Sequence, residues 1–458
     1  MNLKNNLAKV TQAYCSIVDN FFQWILIRIL IKKSTYLKIL KSVYINEKTI
    51  LACLFLIALT IRISVYAILS PAYYPLDPSD LSSDSRAYDL NAINGITNGE
   101  FSTYWQPGIS FILGIIYLIF GHNIIIASLL LILIGSYVGI ISYLISKYIF
   151  SQKKAGYLSF FLIAIYPYLI LESPKIMSDT FALFIFTSSL YYIIKDFNEK
   201  RLKYSLIIGF LTGVLLLTRP NYFWVPPLYL ILTANSFKGE GYLFLLKKYI
   251  FFSITLLLVI TPWIIYTDTK LGEPTLTTNG GVNFYIGNNH NSTGRYCDPY
   301  GLKENNSEIL RSREGFKKGL DYIFTYPADY FALCLKKIDL LLYIPQRLPS
   351  ELTTHSDSNI TEMLFSSIIN LGFIAIQLVG IRGLIYSKGQ IKNKQISNFI
   401  IGSLFFLYTT PIVFFVYVRA TIPIIFIWIL ISSPYLVYII KVALAHPAAS
   451  NGVCSHHH

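Results

Sequence analysis

The chain has 458 residues, of which 54% are hydrophobic and 14% charged, with a net charge of +14. Soluble domains are about a quarter charged, so this composition excludes an ordinary soluble domain and points to lipid. In such a chain the excess of Lys and Arg holds membrane topology, and no nucleic-acid partner is indicated.

Residues 1–48 carry eight Lys or Arg against two acids, which places the N-terminal segment on the cytoplasmic side. Within it, residues 21–31 (FFQWILIRILI) read as an interfacial amphipathic helix, not a cleavable leader, because Arg28 interrupts a short apolar run. A spanning helix needs about 20 mostly apolar residues. Ten stretches qualify, near 49–70, 123–146, 155–171, 176–194, 204–219, 221–235, 249–267, 363–385, 397–417 and 420–440. The apolar segment 108–120 is short. If it crossed the bilayer, Lys147, Lys153 and Lys154 would lie outside; if it rests in the interface, every basic cluster in a short loop lies inside. The charges therefore favour a juxtamembrane helix at 108–120.

The expected class is an all-α polytopic membrane protein with about ten spans, extracytoplasmic juxtamembrane helices and one large outer loop. A seven-helix module over 49–267 holds an acidic first outer loop at 71–107. The large extracytoplasmic loop occupies 268–362, three spans fill 363–441, and 442–458 is a tail ending in a tag-like Ser-His-His-His. The large loop contains a Gly/Asn-rich turn region at 278–294 (TNGGVNFYIGNNHNSTG), then a helical pattern, EILRSREGFKKGLDYIF. The five cysteines form no metal or disulfide framework, although Cys297 and Cys334 share this loop and could pair. The chain shows no nucleotide-binding Gly loop and no His/Cys metal spacing.

Candidate chemistry gathers outside the membrane. The first outer loop holds Asp77, Asp80, Asp84, Asp89 and Glu100 against the single base Arg86. A solvated acidic face accounts for part of this. Asp84, however, opens a helical pattern (DSRAY) with Tyr88 one turn on, and a carboxylate there is suited to take a proton from an attacking hydroxyl. Asp80 is the runner-up. In the second outer turn, ESPKIMSDT, Ser178 and Asp179 are good helix starters. Lys175 is placed to meet a lipid phosphate, and Asp179 to orient that lysine or a sugar hydroxyl. LTRPN and VYVRATIP set Arg219 and Arg419 at outer membrane edges. An arginine there either snorkels or pairs with an anion, and Arg419 departs from the positive-inside trend. Tyr285, Asn288 and Asn289 in the Gly/Asn-rich stretch offer groups suited to carbohydrate hydroxyls, beside the plainer reading of a turn.

The order of these motifs carries a resemblance. The acidic loop is followed by QPGISFILGIIYLIFGHN, LTRPN, TPWII, NGGVNFYIGNNHNSTG and VRATIPIIF. Over about residues 50–430 this resembles bacterial membrane glycosyltransferases of the GT-C fold, in the dolichyl-phosphate-mannose protein mannosyltransferase-like group that includes lipid A aminoarabinose transferases. The resemblance implies transfer of a sugar from a polyprenyl-phosphate donor to a glycan, lipid or protein acceptor, with inversion, at the outer face of a bacterial cell membrane. It places the first-loop acid on Asp84, a second acid on Asp179, and the arginines of the TRP and R-x-x-x-P patterns on Arg219 and Arg419. Many members carry paired acids in the first loop. Here Asp84-Ser85-Arg86 stands instead, which weakens a first-loop metal site and leaves the partner acid open; no cofactor is assigned, and a divalent metal stays an open alternative without a paired-acid motif. Two other readings remain open: a polysaccharide polymerase or ligase with a diphosphate-linked donor, and a secondary transporter or flippase. Against the transporter stand the lack of an internal repeat and of charges deep in the spans.

Overall fold

The computed structural model describes residues 46–70, 74–237, 239–299, 301–302, 307–342 and 358–445; the expected helix at 21–31 lies outside them. Helices account for all the regular structure among these residues apart from one isolated bridge, Arg295 to Val416. In chain order they are α1 Glu47–Leu69, α2 Ser83–Asn98, α3 Pro107–Phe120, α4 Ile124–Phe150, α5 Lys153–Ile165, α6 Pro167–Glu172, α7 Ser178–Glu199 and α8 Leu202–Thr218. Then follow α9 Val225–Ser236, α10 Tyr242–Leu271, α11 Gly280–Gly287, α12 Glu308–Thr325, α13 Pro327–Leu342, α14 Ser358–Lys388, α15 Lys394–Val413 and α16 Thr421–Ala445.

Among the described residues, six helical stretches are long and apolar enough to cross a membrane: Glu47–Leu69, Ile124–Phe150, Tyr242–Leu271, Ile369–Ser387, Lys394–Val413 and Val418–Leu444. The other expected spans are also helical but shorter, broken or more charged. The stretch 155–171 divides into α5 and α6 because Pro167 offers no amide to the ladder and fixes its own φ. The segment 107–120 is a helix of 14 residues, about 21 Å long and too short for a hydrocarbon core of about 30 Å. One of its faces is buried, with Ile109 and Leu113 fully enclosed.

The last helix is the centre of the bundle. In α16, Ile424, Ile425, Phe426, Ile427, Ile429 and Leu430 have no exposed surface, so all sides of this helix meet protein. Close approach elsewhere depends on small residues. Gly209 and Gly213 stand four apart on α8, and a Cβ on Gly209 would lie 2.3 Å from the Phe252 carbonyl oxygen of α10. Two backbones in such contact gain dispersion and weak C–H hydrogen bonds, which drive helix association in lipid.

The Gly/Asn-rich stretch after α10 differs from the expected turn. Residues 280–287 of the Gly/Asn-rich stretch form α11, and not a turn. A further helix, α13, follows α12. Cys297 and Cys334 are free thiols. The loop is clasped to the end of α15 and the segment after it. Val416 N–H donates to the Gly294 carbonyl at 2.8 Å, and Asn288 Nδ2 donates to the Val413 carbonyl at 2.8 Å. Lys337 Nζ donates to Asn288 Oδ1 at 3.2 Å and to the Ile412 carbonyl at 2.9 Å.

Candidate active site

The first turns of α2 and α7 and the ends of α8 and α15 converge at one end of the bundle. Asp84 and Asp179 both lie in the first turn of a helix, where unpaired amides favour negative charge. Arg219 caps the C-terminus of α8, and Arg419 sits in a short 3₁₀ turn, 418–420, before α16.

These four side chains form an alternating row. Arg419 Nη2 donates to Asp84 Oδ2 at 2.8 Å, and Arg419 Nη1 lies 3.9 Å from Asp179 Oδ2. Arg219 Nη2 pairs with Asp179 Oδ1 at 2.6 Å. Arg219 is held further by Nε donating to Ser178 Oγ at 3.1 Å and Nη1 donating to the Tyr417 hydroxyl at 3.1 Å. Asp179 is buried, its side chain 1% exposed, whereas the side chain of Asp84 is 37% exposed. Two buried acceptors, Asp179 Oδ2 and Asn221 Oδ1, have no hydrogen-bond partner among the described residues. Both residues line a small recess that holds Arg219 and Arg419 as well.

Asp84, Tyr88, Arg219 and Arg419 line a cavity of about 830 Å³, a size typical of small-molecule sites. Its remaining wall is aromatic and amide: Tyr104, Trp105, Tyr296, Gln106, Asn279 and Asn283. Trp105 lies between Tyr88 and Tyr104, each ring pair 5.4 Å apart. Tyr88 donates its hydroxyl to Gln106 Oε1 at 3.1 Å, and burial raises its phenol above the ordinary range, so it stays a neutral donor.

The structure leaves the other sequence candidates apart from this cavity. Asp80 is exposed on a separate 3₁₀ turn, 78–80, off the helix that carries Asp84. Lys175 pairs with Glu172 at 2.7 Å and does not line the cavity. Tyr285 packs against Val282, Ile286 and Leu302. The amide nitrogens of Asn288 and Asn289 donate to backbone carbonyls, Phe284 and Val413 for the first, Tyr285 and Ile286 for the second. They close the end of α11 and the clasp, which is a structural use of amides that the sequence offered for sugar binding. Sequence reasoning missed Asn221, Tyr417, Trp105 and Gln106 as site residues. They stand in or beside motifs it singled out: Asn221 two positions from Arg219, Tyr417 two from Arg419, Gln106 at the start of QPGISF and Trp105 just before it. The signal was proximity to those arginines and to the acidic loop.

Asp84 and Asp179 are each matched by an arginine, so the row carries no formal net charge. Among the described residues no three His, Cys, Asp or Glu side chains come together.

Residues 106–266 match the family model described as dolichyl-phosphate-mannose-protein mannosyltransferase. None of the curated proteins compared with the chain matches it in sequence. Among solved structures, the chain is similar to the archaeal oligosaccharyltransferase AglB from Archaeoglobus fulgidus in complex with an inhibitory peptide and a dolichol-phosphate. The identity is 14% and the TM-score 0.52, over 90% of this chain and 52% of that one. An Archaeoglobus fulgidus oligosaccharyltransferase in complex with zinc and sulfate gives the same identity and TM-score over 87% and 52%. The chain thus spans about half the length of the structures it matches, and at this identity the likeness shows the fold. The resemblance read from the sequence stands: residues 106–266 match the mannosyltransferase family, on a chain with the GT-C fold of an integral membrane protein.

Proposed function

We propose that the protein is a membrane glycosyltransferase that moves a sugar from a polyprenyl-phosphate-linked donor to an acceptor hydroxyl, at the extracytoplasmic face and with inversion. The observation that carries this reading is the row Asp84–Arg419–Asp179–Arg219 at the head of a cavity whose other wall is aromatic and uncharged. Arginine is suited to phosphate, and paired guanidinium groups stabilise the charge that develops on a leaving phosphate. Aromatic rings and amides suit the faces and hydroxyls of a sugar. The unpartnered Asp179 Oδ2 and Asn221 Oδ1 are acceptors waiting for donors, which sugar hydroxyls supply.

In the proposed reaction the acceptor oxygen attacks the anomeric carbon from the face opposite the phosphate. Its proton passes to the Asp84 carboxylate, the bond from carbon to phosphate oxygen breaks, and polyprenyl phosphate leaves with the electron pair. Arg219 and Arg419 hold that phosphate. Asp179 orients Arg219 and a sugar hydroxyl. Lys175, with its partner Glu172 and its place outside the cavity, is not assigned a role.

The test is direct. Purified protein in lipid nanodiscs is incubated with polyprenyl-phosphate sugars and candidate glycan, lipid and peptide acceptors, beside Asp84→Asn. Wild-type protein is expected to consume the lipid-linked sugar, and the variant to lose about 100-fold or more of that rate. No consumption by the wild type, or equal rates in both, refutes the proposal.

A further inference from the structure

The two arginines of the row are held very differently. Arg219 has three partners, Asp179, Ser178 and Tyr417, and its side chain is 16% exposed. The Arg419 side chain is 30% exposed, and beyond Asp84 its contacts are weak: the Met177 thioether at 3.5 Å and Asp179 at 3.9 Å. Its partner Asp84 is the more exposed of the two acids. An ion pair open to solvent is weak, and each of its members is available for exchange. Arg219 is therefore the fixed cation and Arg419 the exchangeable one.

Both members of that outer pair face the cavity. We propose that Asp84 is an internal competitor for Arg419: a lipid phosphate entering the cavity takes the guanidinium from Asp84, and Asp84 takes it back as the phosphate leaves. This rests on the reading of the donor as a polyprenyl phosphate. A tetrahedral phosphate presents two of its oxygens to a guanidinium much as a carboxylate presents its pair, so the hydrogen bond that Arg419 gives to Asp84 is replaced on exchange. It has two consequences. A carboxylate that has lost its counter-ion is a stronger base, so donor binding itself readies the proton acceptor. The product polyprenyl phosphate carries more negative charge than the diester donor and would bind two free arginines tightly. Competition by Asp84 weakens that grip and speeds release.

The sign of the effect is unusual, since removing a proposed catalytic acid should tighten binding of the product. Undecaprenyl phosphate is titrated against wild type, Asp84→Asn, Arg419→Gln and the double variant in nanodiscs, with undecaprenol and inorganic phosphate as separate arms. Thermal unfolding and gel filtration check that each variant is folded, and Asp84→Ala serves as a second removal of the charge. The expected result is binding about two- to fivefold tighter in Asp84→Asn, the range of a partly exposed ion pair. That gain should vanish in the Arg419→Gln background. Inorganic phosphate alone should show the same order of variants at lower affinity, and undecaprenol should show none. Equal or weaker binding in Asp84→Asn overturns the competition. A gain that persists without Arg419 overturns it too, because simple charge repulsion then suffices. If no variant distinguishes undecaprenyl phosphate from undecaprenol, the lipid-phosphate reading itself fails, and the competition with it.

Discussion

Gly287, the last residue of α11, sits against the backbone of Phe414, and a methyl group there has no room. A Cβ would fall 1.7 Å from the Phe414 carbonyl oxygen, whereas real Cβ atoms essentially never come within 3.0 Å of another heavy atom. Gly287→Ala must therefore push α11 and the 414–417 segment apart by about 1.3 Å, against backbone that cannot rotate aside. That segment continues into Tyr417 and Arg419, both lining the cavity. Overpacking of this kind costs about 1–3 kcal/mol of stability. A displacement of about an ångström at reacting groups costs about 100-fold in rate. Transfer of sugar from a lipid-linked donor and thermal unfolding in nanodiscs measure the two effects. Gly372→Ala is the control: nothing lies within 4 Å of its Cβ, and the exchange inside α14 should be neutral or stabilising by up to about 1 kcal/mol. If Gly287→Ala keeps both the wild-type rate and the wild-type unfolding temperature, the clasp does not set the position of Arg419, and the reasoning is wrong.

Other expected outcomes follow from single contacts. Asp179→Asn leaves the Arg219 guanidinium without its counter-ion at 2.6 Å and should cost about 3 kcal/mol, seen as a lower unfolding temperature along with lost transfer. An unchanged unfolding temperature would show that solvent satisfies Arg219. Tyr417→Phe removes the acceptor of Arg219 Nη1 while keeping the ring, whose centroid lies 5.9 Å from the guanidinium. The donor KM should rise about fivefold to tenfold with kcat little changed, and a change in kcat alone argues against this role. Burial pushes the Lys337 ammonium down to about 8 from 10.5, so the folded state prefers it neutral. The unfolded chain then binds more protons between these values, and stability should rise as pH goes from about 8 to 10.5, by on the order of 3 kcal/mol. Lys337→Gln should flatten that rise; a profile identical to wild type would place the effect elsewhere.

The sequence by itself determined the class of this protein, because hydrophobic length and the side of positive charge are local properties. It located nearly every long helix, and it named Asp84, Asp179, Arg219 and Arg419 from their places at helix starts and membrane edges. Tertiary structure decided what depends on distant partners. Asp84 and Arg419 are 335 residues apart, and only packing brings them into one ion pair. Asn288 illustrates the opposite case. Its amide suits a sugar as well as a carbonyl, and only the fold shows that Val413 and Lys337 already occupy it. The same holds for Lys175, an exposed-looking cation in the sequence that pairs with the buried Glu172 in the structure. Charge and periodicity are written along the chain, whereas the choice among equivalent hydrogen-bond partners is made by whichever backbone arrives beside them.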